Sequence, residues 1–216
     1  MACRIGSYEK VRHQMMPGDV IAFAGAGPAS VIIQAATRSN ISHVGIVVES
    51  PTGASELLPD LLQVMESTSL DGFTGVTTSR LRDRIAGYDG RVWWLPLRDS
   101  VRAAMDLGQL LSFLLQQKGK LYDLPQAIMS GLDLLDEHAL LERATHAVED
   151  YRCFFCSELV AGALEASGAV PHLNASEVTP IDLCTFSIYS DDYWQLKGEP
   201  EAIQGYNTVS PAGWGE

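Results

Sequence analysis

The apolar segments of this chain change period partway along, and that change constrains the fold more than any other feature. In the first hundred residues they are short, rich in β-branched side chains and separated by turns. Val20–Ala24 follows the turn Met16-Pro17-Gly18-Asp19 and is broken by Gly25-Ala26-Gly27-Pro28. Ser30–Thr37 reads as a short helix. His43–Glu49 and Leu61–Ser67 read as strands around the turn signal Ser50-Pro51-Thr52-Gly53, and Arg91–Leu97 as another strand. Beyond residue 100 the spacing becomes helical. Ser100 is placed to cap a helix running to Lys118, with Val101, Ala104, Leu107, Leu111 and Leu114/Leu115 on its apolar side and Gly119 as its stop. Pro125 suits the first turn of a helical stretch reaching about Glu149. Cys156–Ser167 is helical, with Leu159, Val160, Ala163 and Leu164 on one face and Gly168 as its stop. The last thirty or so residues read as irregular. Strands first and helices later predict an α+β fold in one domain over residues 1–216.

Composition sets outer limits. Hydrophobic residues are 46% and charged residues 19%, enough apolar surface for a core. The net charge of -12 and the lack of any Lys/Arg cluster argue against nucleic-acid binding. No apolar run is long enough to cross a membrane, and the first residues carry no secretory signal, so the default expectation is a cytoplasmic protein. The four cysteines, Cys3, Cys153, Cys156 and Cys184, show no disulfide framework and read at least partly as free thiols. Trp93 and Trp94 are adjacent on a strand, so one faces each way.

Cys156 opens a helix, where the dipole and unpaired N–H groups favour the thiolate and can cradle an oxyanion. A cysteine nucleophile needs a base. Of the five histidines, His13, His138, His146 and His172 lie in polar or charged surroundings, and only His43 opens a buried-looking strand. If the two strands form an antiparallel hairpin with Val47 opposite Leu62, Glu66 falls opposite His43, able to orient the imidazole. Each residue has a plain structural alternative: a small buried thiol, a packed histidine, a solvent-facing edge glutamate. Cys153-Phe154-Phe155-Cys156 also has the CxxC spacing of redox and metal sites. It is a single pair without paired ligands, so no metal and no cofactor is expected.

Taken in order, Pro17-Gly18-Asp19-Val20-Ile21, Ser42-His43-Val44-Gly45-Ile46, Glu66, Tyr122-Asp123, Phe155-Cys156-Ser157-Glu158-Leu159-Val160 and Thr179-Pro180 resemble the permuted, YiiX/YaeF-type branch of the NlpC-type papain-like amidases. There the histidine precedes the cysteine. The resemblance spans roughly residues 17–186. It implies a circularly permuted papain-like fold, a small antiparallel sheet packed against helices with the nucleophile at a helix start, with Cys156 as nucleophile, His43 as base and Glu66 as the third polar residue. Tyr122, Ser157 and Ser42 would contact substrate. Met129–Asp150 would be a helical insertion or lid, and 187–216 an irregular tail. The implied activity is amide hydrolysis on cell-wall-type (peptidoglycan) peptides through an acyl-enzyme. The alternatives are a thioesterase or acyltransferase on lipid substrates, and a virion (phage tail) component that assembles into a larger particle and keeps the fold.

Overall fold

The computed structural model describes residues 2–48, 61–121 and 155–215. Among the described residues, seven strands form one sheet: β1 (Ala2–Ile5), β2 (Val20–Gly25), β3 (His43–Val48), β4 (Gln63–Leu70), β5 (Phe73–Arg80), β6 (Gly90–Leu95) and β7 (Asp192–Lys197). Their spatial order is β1-β7-β6-β2-β3-β4-β5. Only β1 and β7 pair in parallel; the other neighbours are antiparallel. The helices named here are α1 (Tyr8–Val11), α2 (Pro28–Thr37), α3 (Leu81–Gly87), α4 (Asp99–Ala104), α5 (Leu107–Gln117), α6 (Cys156–Ala166) and α7 (Pro180–Thr185). The architecture is mixed α and β, as the change of period predicts.

Strand alternation gives the sheet two apolar faces. Val20, Ala22, Val44, Ile46, Trp93 and Leu95 pack with Leu110 and Leu114 of α5 and with Leu159, Val160, Ala163 and Leu164 of α6. Ile21, Phe23, Val47, Val64 and Trp94 face the other way, onto Leu81 and Ile85 of α3 and onto Tyr8, Val11 and Met15. Both tryptophans are therefore buried, one on each side of β6.

Asp19 ties this arrangement together from the turn before β2. Fully buried, its carboxylate accepts the Trp94 indole N–H and the Leu97 and Met16 backbone N–H groups, each at 2.9 Å, and pairs with Arg102 of α4. A buried carboxylate is tolerable because each of these donors is aimed at it.

Several expectations need correction. The helix from Ser100 to Lys118 is two helices: the backbone turns extended at Met105, which ends the first, and Asp106 caps the second, accepting the Gln109 N–H at 3.0 Å. The tail is not irregular throughout. β7 lies inside it, its pattern hidden because Gln195 occupies a core position and satisfies its amide on the Lys197 and Glu199 carbonyls and the Glu201 N–H. β1 and β5 carry no strong strand pattern, and with them the sheet is larger than expected. The hairpin register is also off by two residues, with Val47 opposite Val64 rather than Leu62. A shift of two preserves the faces, so Glu66 still shares one with His43. The Ser50–Gly53 turn, the stretch from Pro125 to about Glu149, and Met129–Asp150 lie outside the described residues.

Candidate active site

Cys156 is the first residue of α6. The chain enters through Phe155 in an extended conformation, and Glu158 at the third helical position accepts the Phe155 N–H at 3.3 Å. That half of a capping box fixes the entry and leaves the thiol at the positive end of the helix dipole. Leu159, Val160, Ala163 and Leu164 press the helix onto the sheet, so Cys156 itself is 5% exposed.

His43 is the first residue of β3 and lies on the opposite face of the sheet from α6, its ring 5.3 Å from that of Phe23. Its Nε2 lies 2.6 Å from Glu66 Oε2. The Cys156 thiol is the ring's other partner, coupled to it by charge and by a side-chain hydrogen bond. The two come from opposite faces and meet at the end of the sheet. The ladder between β3 and β4 begins at Ile46 and Met65, so Val44 lies beyond it. Val44 donates a backbone hydrogen bond to Cys156 instead, as does Ser157.

Glu66 reaches His43 diagonally. Continued one residue past Ile46, the register sets Gly45 opposite Glu66. A Cβ on Gly45 would lie 2.7 Å from Glu66 Cγ and 2.6 Å from Val64 Cγ2. The missing side chain leaves a trough across which the glutamate passes. Behind Glu66 stands Arg84 of α3, with Nε 2.9 Å from Oε1 and Nη2 3.0 Å from Oε2. The Glu66 side chain is 1% exposed, so both partners act on it with little screening.

These contacts set the protonation states. Burial disfavours the Cys156 thiolate, but the positive charge and hydrogen bond of His43, with the Val44 and Ser157 N–H groups, overcome this and hold the thiol below its ordinary range. Burial likewise disfavours imidazolium, yet the Cys156 thiolate and then Glu66 raise His43 to about 9. Burial would raise Glu66, but the hydrogen bonds and charges of His43 and Arg84 hold it below the usual carboxylate value. Both shifts favour the thiolate–imidazolium form of the pair.

Of the residues singled out in the sequence, Cys156, His43 and Glu66 come together. Ser157 is buried beside the thiol and contributes its N–H. The Ser42 hydroxyl is committed to the strand pair, accepting the Gly25 N–H at 3.2 Å and facing the Phe23 carbonyl at 3.4 Å. Those contacts place it between β2 and β3. Tyr122 and Cys153 lie outside the described residues. Arg84 escaped sequence reading, although Leu81, Arg84, Ile85 and Tyr88 repeat at i, i+3, i+4 and i+7, the spacing of an inward helix face. Among the described residues no group of three or more His, Cys, Asp or Glu side chains is arranged to hold a metal ion, and no helix is long and apolar enough to cross a membrane.

No protein-family model matches the chain, and no curated protein matches it in sequence. Among solved structures it is similar to the metalloprotein YiiX of Escherichia coli O157:H7, at 20% identity and a TM-score of 0.47, over 71% of this chain and 67% of that one.

Proposed function

We propose that this chain is a papain-like cysteine hydrolase that cleaves amide bonds, with Cys156 as nucleophile, His43 as base and Glu66 as the residue that orients the imidazole. One observation carries this reading. A single buried imidazole lies between a carboxylate at 2.6 Å and a hydrogen-bonded thiol at a helix start. A structural histidine satisfies its ring without the thiol opposite being driven toward thiolate.

The steps follow from the geometry. His43 holds the proton taken from Cys156, and the thiolate attacks a carbonyl carbon. Negative charge then develops on the carbonyl oxygen. The Cys156 N–H is one of the first amides of α6, which no carbonyl within the helix accepts, and it can donate to that oxygen. As the tetrahedral species collapses, imidazolium protonates the departing amine, leaving a thioester on Cys156. Water, deprotonated by His43, then hydrolyses the thioester. Glu66 keeps the ring in place through both halves.

The motif resemblance supports short cell-wall-type peptides as the substrate, with hydrolysis possible from within a phage particle. Cys156→Ala should abolish hydrolysis of peptidoglycan-derived peptides while leaving the fold intact by circular dichroism. Retained activity would sink the proposal. A lipid thioester or acyl-ester substrate is the second reading. It is favoured by α2, which joins the two strands that carry Phe23 and His43 and leaves Val31 53% exposed. Intact-mass detection of a long-chain acyl adduct on Cys156, with no turnover of wall peptides, would select it.

A further inference from the structure

Arg84 does more than fill space. Its guanidinium lies over a pair of tilted, touching rings, 5.0 Å from the Phe23 centroid and 4.9 Å from that of Tyr88, and its side chain is 11% exposed. Both Nε and Nη2 contact Glu66, and both reach Oε2, at 3.1 and 3.0 Å. Oε2 is also the oxygen that binds His43 Nε2. Phe23, which backs the guanidinium, also packs against the His43 ring.

We infer that Arg84 is a positioning residue for the reacting pair: it locks the Glu66 carboxylate against His43 and supplies the charge that makes the buried row neutral. The inference rests on the reading of Cys156 as nucleophile. In the reactive state the charges alternate along the row: Arg84 positive, Glu66 negative, His43 positive, Cys156 negative. Without Arg84 the same row carries one net negative charge away from water, which is costly. Retaining a proton relieves that cost. Removing the guanidinium charge therefore makes both Cys156 and His43 hold protons more tightly, and less thiolate is present at neutral pH. A role in packing alone predicts no change in titration.

Among the described residues, the other groups around the row do not supply this charge. Tyr88, at the end of α3, and Cys184, on α7, both face it. Burial pushes each upward, so both stay neutral through the useful range. Asp182 of α7 faces Cys184. Glu158 in the first turn of α6 is turned to the Phe155 N–H.

The test is the pH dependence of iodoacetamide alkylation at Cys156, followed by peptide mass spectrometry in the full chain, which needs no knowledge of the substrate. The wild-type profile should have its midpoint below the ordinary thiol value. In Arg84→Met the midpoint should rise by about one pH unit or more. In Arg84→Lys, which keeps the charge but not the two-donor contact with Glu66, it should rise by less than in Arg84→Met. An Arg84→Met profile that overlays the wild type overturns the inference and leaves the nucleophile standing. A wild-type midpoint at the ordinary thiol value overturns both. Should Arg84→Met fail to fold, Glu66→Gln is compared with the double variant Glu66→Gln/Arg84→Met, which leaves no lone buried carboxylate. The double variant should titrate about one unit above Glu66→Gln, and coincidence of the two overturns the inference.

Discussion

Adding one methyl group to Gly45 tests how the candidate site is held together. The backbone at Gly45 does not require glycine, since its φ is not among the positive values. Alanine is therefore conformationally allowed, and the effect comes from space alone. The new Cβ would lie 2.6 Å from Val64 Cγ2, 2.7 Å from Glu66 Cγ and 3.2 Å from the Met65 carbonyl oxygen. Carbon atoms rest at about 3.5–4.0 Å, so two contacts are about 1 Å too short. Overpacking of this kind costs about 1–3 kcal/mol. The restricted unfolded chain returns about 0.4–1 kcal/mol of that. A net loss of about 1–2 kcal/mol lowers Tm by about 2–8 °C in a chain of this size. The functional loss should be larger than the thermal one suggests. Glu66 can relieve the clash only by leaving the trough, and His43 then loses the partner on Nε2. A displacement of about 1 Å in a reacting geometry can cost about a hundredfold in kcat/KM. The assays are thermal unfolding and hydrolysis of the best peptide substrate, for Gly45→Ala, Glu66→Ala and the double variant. If Gly45 acts through Glu66, the two activity losses do not add. Wild-type Tm and kcat/KM in Gly45→Ala, or fully additive losses, would refute the trough.

Other expectations follow from the same contacts. The pH profile of kcat/KM should be bell-shaped: activity rises as Cys156 loses its proton below the ordinary thiol value, and falls as His43 loses its proton at about 9. An alkaline limb near neutrality would contradict the thiolate–imidazolium pair. Asp19→Ala leaves the Trp94 and Leu97 N–H groups unsatisfied and the Arg102 charge unpaired, which should cost about 3–5 kcal/mol and lower Tm by about 6–20 °C. A Tm within a degree or two of the wild type would show that water replaces the carboxylate. Asp106→Ala removes the cap of α5 and should cost about 1 kcal/mol in denaturant unfolding, with no change in the midpoint of Cys156 alkylation.

The parts of the site legible in the sequence are those that announce themselves locally. Cys156 stands where helical spacing begins, and His43 where a β-branched run begins. Glu66 could be placed on the face of His43 because strand alternation tolerates an error of two residues. The diagonal crossing over Gly45 could not be read, since it depends on where the ladder between β3 and β4 starts. Arg84 was hidden for a different reason. An arginine in a charged stretch ordinarily reads as solvent-facing, and its burial depends on Phe23 and Glu66, which come from distant strands, as well as on Tyr88 at the end of its own helix. β7 was masked by Gln195, a polar side chain in a core position whose partners lie just downstream.

The order of strands also sets a timetable. β7 occupies the slot between β1 and β6, so among the described residues, residues 2–5 pair only with residues 192–195. At about 5–20 residues per second, about 10–40 seconds of synthesis separate the two partners. Throughout that interval β1 has no strand beside it, while β2, β3, β4, β5 and β6 can already assemble. The newborn chain thus carries an open sheet edge at β6 until its last strand arrives to close it. Chaperone binding during translation should concentrate on nascent chains that end before residue 192.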